Sequence, residues 1–170
     1  MTKEHIYERA FDYPEPVAFI VDDEAQVRAF VSNALRAAGF KPLQLASSAE
    51  VDEALHDTIP QLIVLDLSLG DSDAVEVLRI LDATRYQGDV LLISGHDELT
   101  LDEVQQIGAR RGLSMAEPLR KPFRLEQLRE RLETARRDVP ARFDAGLAAA
   151  LRDPASVADP DGEQRAADPV

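Results

Sequence analysis

The chain has 170 residues, 45% of them hydrophobic and 30% charged, enough for one globular domain with a sizeable core and too few for two full ones. Its 32 acidic and 19 basic side chains leave a formal net charge of -13, which opposes nonspecific binding to DNA or to an anionic membrane face. It has no cysteine, hence no disulfide, thiolate metal site or cysteine nucleophile; with no apolar run near the roughly 20 residues that span a membrane and a polar start, the expected location is cytoplasmic.

Residues 1–16 are read as an N-terminal extension ending in two prolines. Val17-Ala18-Phe19-Ile20-Val21 is a buried strand that delivers Asp22 and Asp23 to its carboxyl end, and Glu24 opens a helix. Val27, Val31, Ala34, Leu35 and Ala38 give that helix an apolar stripe, and Gly39 stops it. A short strand at Lys41–Leu45 and a helix at Ser48–Asp57 follow. After Pro60, Leu62-Ile63-Val64-Leu65 is a strand buried on both faces, and it runs into Asp66. Ser72 or Asp73 is suited to cap a third helix, and Val90-Leu91-Leu92-Ile93 is a fourth buried strand ending at Ser94-Gly95. Thr100 and Glu103 have capping-box spacing for a helix that Gly112 closes. Ser114–Arg120 is a weaker strand whose Pro118 suits an edge, Lys121-Pro122-Phe123 follows, and a last helix runs from about Leu125 to Arg137.

Strands and helices thus alternate five times within residues 17–138. That pattern predicts an α/β fold, a flavodoxin-like doubly wound parallel sheet of order 2-1-3-4-5. The order brings Asp22, Asp23, Asp66 and Ser94 to one carboxyl edge, with Lys121 arriving from the neighbouring strand. Beyond it, Val139, Phe143, Leu147 and Leu151 recur at helical spacing with Pro140 in a first turn. Residues 139–170 are therefore read as an amphipathic helix and a Pro- and Asp-rich tail, with packing against a second copy as the expected use.

Three carboxylates at one edge repel one another, so full ionisation calls for a cation among them or a raised pKa. Oxygen-only ligands suit Mg2+, and the backbone carbonyl of Ser68 is a candidate fourth ligand. With Lys121 screening charge, Asp66 is placed to attack an incoming phosphoryl group and form an aspartyl phosphate.

Val21-Asp22-Asp23, Leu65-Asp66, Ser94-Gly95 and Lys121-Pro122-Phe123, in this order, resemble the receiver domain of bacterial two-component response regulators across residues 17–138. The resemblance implies that Asp66 accepts phosphate from a histidine kinase or phosphotransfer protein in a phosphorelay. It implies that Asp23 and Asp66 bind magnesium directly while Asp22 helps, that Lys121 contacts the phosphoryl group, that Ser94 turns toward it, and that the Lys121-Pro122 bond is cis. The family commonly carries an aromatic residue three positions before the lysine; here it is Pro118. Gly108–Leu113 and Leu119–Phe123 are also similar to receivers joined to EAL-type phosphodiesterase domains. The residues after the last helix are too few for such a domain, so a stand-alone receiver or a segment of a longer protein is expected, a phosphoacceptor rather than an enzyme. Two alternatives stand beside this reading. An aspartate-nucleophile phosphatase carries Asp-x-Asp where this chain has Asp66-Leu67-Ser68, and a binding or dimerisation module would keep the fold without phosphorylation.

Overall fold

The structure, a computed structural model, describes residues 15–69, 71–95 and 98–152. Alternation along the strands builds two cores, one on each side of a single sheet. In β1 (Val17–Val21), Phe19 and Val21 face one way while Ala18 and Ile20 face the other. The same division recurs in β3 (Leu62–Asp66), with Ile63 and Leu65 against Leu62 and Val64, and in β4 (Asp89–Ser94), with Val90 and Leu92 against Leu91 and Ile93. These side chains are essentially inaccessible to water, the Val, Leu, Ile and Phe among them each contributing roughly 1.5–3 kcal/mol of transfer free energy. Both faces can be apolar because helices cover both.

The first face is covered by α2 (Ser48–Asp57), α3 (Asp71–Ala83) and α4 (Glu98–Arg110), through Val51 and Leu55, Val77, Leu78 and Leu81, and Leu101 and Val104. On the second lie α1 (Ala25–Ala37), with Val31, Ala34 and Leu35, and α5 (Leu125–Arg152), with Leu128, Leu132, Ala135 and Val139. All strand pairings are parallel, in the order β2-β1-β3-β4 with β2 at Lys41–Leu45 and the fifth strand beyond β4, as the alternation predicts.

The fifth strand is split. Rather than running unbroken from Ser114 to Arg120, it forms β5 (Ser114–Met115) and β6 (Leu119–Arg120), both paired with β4. Asp89 pairs with Ser114, 25 positions on, whereas Ile93 pairs with Leu119, 26 positions on. The segment Ala116–Pro118 thus holds one residue more than its partner, a bulge at the place where Pro118 has no N–H for the ladder. Gln105 on α4 donates to the Ala116 carbonyl at 2.9 Å, and Arg131 on α5 pairs with Glu117 at 2.8 Å. The opposite edge strand, β2, also contains a proline. The Lys41 N–H donates inward to the Pro16 carbonyl at 2.8 Å, so by alternation the nitrogen of Pro42 faces outward.

Helix boundaries follow the chemistry of their ends, with four departures from the sequence reading. Gly39, at φ 84°, follows α1 as expected. Ser47 caps α2, accepting from the Glu50 N–H at 3.3 Å, while Glu50 accepts from the Ala46 N–H at 2.7 Å, a reciprocal cap the sequence reading missed. Helix α3 begins at Asp71, ahead of Ser72 and Asp73, and α4 at Glu98, ahead of Thr100. The capping-box reading of Thr100 and Glu103 is therefore corrected: the helix starts at Glu98, so Thr100 lies within its first turn rather than at its cap. Finally, α5 is one helix through Arg152 rather than two with a break before Pro140, in keeping with the high helix propensity of the Ala, Leu and Arg residues around that proline. The chain divides into two units after Val139. The extension before residue 15, the tail from 153 and the side chains of Phe143, Leu147 and Leu151 lie outside the described residues.

At the amino edge of the sheet, Val17 N–H donates to Gln61 Oε1 at 2.7 Å and Ser114 Oγ to Asp89 Oδ1 at 2.6 Å. Gly88 lies under Tyr86, and a Cβ there would stand 2.7 Å from the Gln61 carbonyl oxygen, whereas one at Gly95 would meet only ordinary contacts near 3.7 Å. Gly88→Ala is expected to destabilise the fold by about 1–3 kcal/mol in urea unfolding, with Gly95→Ala close to wild type.

Candidate functional site

The site forms at the carboxyl edge because neighbouring parallel strands in register point corresponding side chains the same way. Val21 pairs with Leu65, so Asp22 and Asp66, each one residue further, come side by side. Both are buried, at 2% exposure. Leu119 lies opposite Ile93, which lies opposite Asp66, and the chain then turns at Lys121, whose N–H donates to the Ser94 carbonyl at 2.7 Å. From there Lys121 Nζ reaches Asp66 Oδ2 at 2.7 Å. Asp66 Oδ1 accepts from the Ser68 N–H and from Ser68 Oγ, both at 2.9 Å. The Lys121-Pro122 peptide is cis, and Ser94 is buried at the end of β4.

The acid loop after β1 is held by its own backbone. Asp22 Oδ1 accepts from the Glu24 N–H at 2.8 Å, and Arg28 Nη1 donates to the Asp22 and Asp23 carbonyls at 2.7 and 3.1 Å. The carboxylates of Asp22, Asp23 and Glu24 each place an oxygen within 4.8 Å of the others. Asp23 and Glu24 are exposed while Asp22 is buried.

The sequence-predicted residues Asp22, Asp66, Ser68, Ser94 and Lys121 are thus gathered at one edge, with Asp23 on the adjoining loop. Asp66 meets the acid loop through Asp22. His96, which follows Ser94-Gly95 in the sequence, lies outside the described residues. Two residues escaped the sequence reading. Glu24 could have been found as the third consecutive acid; Arg28 could not, because its partners are carbonyls that every residue has.

Electrostatics divide the two buried acids. Burial raises Asp22 to about 7, helped by the hydrogen bond and charge of Asp66 and opposed by the Glu24 N–H and Lys121. Burial also pushes Asp66 upward, but the bonds from Lys121, Ser68 and Asp22 outweigh it and leave that carboxyl below the usual carboxylate range. Below about pH 7 buried Asp22 therefore holds a proton, donated to Asp66, and the pair carries one negative charge rather than two.

The profile of the response regulator receiver domain matches residues 18–133, more than half of the chain. The chain belongs to the response regulator receiver family. Receivers are the phosphoacceptors of two-component signalling. Among curated proteins, this receiver is 28% identical over 122 residues to the regulatory protein VirG of Rhizobium rhizogenes, covering 72% of this chain and 48% of the relative. It thus spans about half the length of the VirG relatives it matches. It is also similar to sporulation initiation phosphotransferase F of Bacillus subtilis, 22% identical over 112 residues, covering 65% of this chain and 86% of that protein. A response regulator structure from Colwellia psychrerythraea superposes with a TM-score of 0.65 at 24% identity, over 72% of this chain and 98% of the other. No described helix of the receiver is long and apolar enough to cross a membrane.

Between the ordinary 3.8 and about 7 the folded state keeps on Asp22 a proton that the unfolded state releases. This contribution to stability is therefore full at low pH and lost as pH rises through that window; Asp66, shifted the other way, acts below it. In EDTA the melting midpoint of wild type is expected to fall between pH 5 and 8. Asp22→Asn, whose amide donates to Asp66 at any pH, is expected to lose most of that fall, a difference of roughly 5 °C or more in thermal melts.

Proposed function

We propose that Asp66 is the phosphoacceptor and that a histidine kinase or phosphotransfer protein is the donor. The observation that carries the reading is the buried Asp66 carboxylate with Lys121 Nζ 2.7 Å from one oxygen, a nucleophile kept ionised beside a fixed positive charge. An Asp66 oxygen attacks the phosphorus in line, the bond to the donor's imidazole nitrogen breaks, and the imidazole leaves with the electron pair. The Lys121 ammonium neutralises charge on the transferring group. Ser94, at the end of the neighbouring strand, offers a hydroxyl to the phosphoryl oxygens once they are in place.

Asp22, Asp23, Asp66 and the Ser68 carbonyl would hold Mg2+, with Glu24 beside them. The donor set is all oxygen and rich in carboxylates, which suits a hard divalent ion, and the proton held by Asp22 marks a place where positive charge is wanted. Bound there, the ion would supply charge neutralisation for transfer. The chain itself turns over no substrate in this reading. Homodimerisation through the last helix belongs to the same proposal, supported by the spacing of Phe143, Leu147 and Leu151; Val139, the first residue of that stripe, is buried in its own domain.

Incubation with acetyl phosphate and Mg2+ is expected to add one phosphoryl group by intact mass. Asp66→Asn is expected to abolish the gain, and Lys121→Met to slow it about 100-fold. Labelling of Asp66→Asn at the wild-type rate would remove Asp66 from the role. Because the ion competes with the Asp22 proton, magnesium affinity measured by calorimetry is expected to rise with pH and level off above about 7.

A further inference from the structure

We infer that Arg28 is a positioning residue for Asp23, setting the direction of that carboxylate toward the cation; the inference rests on the magnesium reading above. The Asp22 carbonyl belongs to the peptide plane before Asp23, and the Asp23 carbonyl to the plane after it. Arg28 Nη1 donates to both, at 2.7 and 3.1 Å. Because each peptide is planar, fixing the two planes that flank a residue fixes its φ and ψ, and with them the direction of its Cα–Cβ bond. For a buried residue packing would do this. Asp23 is exposed, so packing does not hold its backbone in place.

The other elements around the loop complete the restraint on Asp22 rather than on Asp23. Asp22 N–H donates to the Leu45 carbonyl at 3.2 Å, tying the loop to β2, and Asp22 Oδ1 is taken by the Glu24 N–H. Arg28 lies on the first turn of α1, half-buried, and a helix anchored on the sheet by Val31, Ala34 and Leu35 is a rigid base for such a grip. The guanidinium bonds to carbonyls here, leaving the carboxylates of the loop to point elsewhere.

Charge and position predict opposite signs, which makes the inference testable. As a cation Arg28 repels Mg2+, so if charge alone mattered its removal would tighten binding. As a clamp it preorganises the exposed ligand, so its removal loosens binding. The measurement is the Mg2+ dissociation constant by calorimetry on the full chain, with the melting midpoint in EDTA taken alongside. Arg28→Met is expected to weaken Mg2+ binding about tenfold, as loss of a preorganising contact does. Arg28→Lys, which keeps the charge and a single donor nitrogen but on a shorter stem that reaches the two carbonyls less well, is expected to recover part of the loss, remaining two- to fivefold weaker than wild type. Arg110→Met, which removes the same charge from an exposed place on α4, is expected to match wild type.

An Arg28→Met constant equal to wild type or tighter overturns the inference. Should that variant fail to fold, an Arg28→Lys constant equal to wild type overturns it instead. If wild type itself binds no Mg2+, the magnesium reading falls first, whereas acetyl phosphate labelling of Asp66 reports separately on the phosphoacceptor.

Discussion

The contact on which the rest of the site depends is the 2.7 Å bond between Lys121 Nζ and Asp66 Oδ2, which joins residues 55 positions apart. A buried carboxylate without a partner would take up a proton or disrupt the fold. With this ammonium on one oxygen and Ser68 on the other, Asp66 stays charged, whereas Asp22, pushed up chiefly by burial, holds a proton below about pH 7. The parallel register across β1, β3, β4 and β6 makes the meeting possible. It places the last residues of separate strands in one row, so acids distant in sequence share one small volume.

Much of this was legible in the sequence because the signals were either periodic or chemically unusual. The unbroken apolar runs Val17–Val21, Leu62–Leu65 and Val90–Ile93 could only be strands covered on both sides, and the helix stripes between them implied the crossovers and hence the sheet order. Given that order, the edge holding Asp22, Asp66, Ser94 and Lys121 followed. What stayed hidden depends on backbone groups, which carry no residue code. Arg28 addresses two carbonyls, and the bulge before β6 is a difference of one in register that only the paired strand reveals. The starts of α3 and α4 were displaced because several neighbouring polar residues could each have served as the first cap, and pattern alone does not choose among them.

The segment where related receivers carry an aromatic residue is built on other principles here. Pro118 breaks the ladder, and the surrounding backbone is gripped from two helices, by Gln105 at Ala116 and by Arg131 at Glu117. Polar links here join α4, the edge strand and α5. Any displacement of Ser94 or Lys121 bears on this stretch, since the Lys121 N–H is bonded to the Ser94 carbonyl one residue beyond β6.

The two prolines at the rims of the sheet have a further consequence. Exposed strand edges are templates on which a neighbouring molecule can extend a sheet, and the remedy is to withhold donors or bend the edge away. Pro42 leaves a gap in the outward row of N–H groups on one flank, while Pro118 and its bulge interrupt the other. Neither rim offers an uninterrupted run of donors on which a neighbouring molecule could extend this parallel sheet.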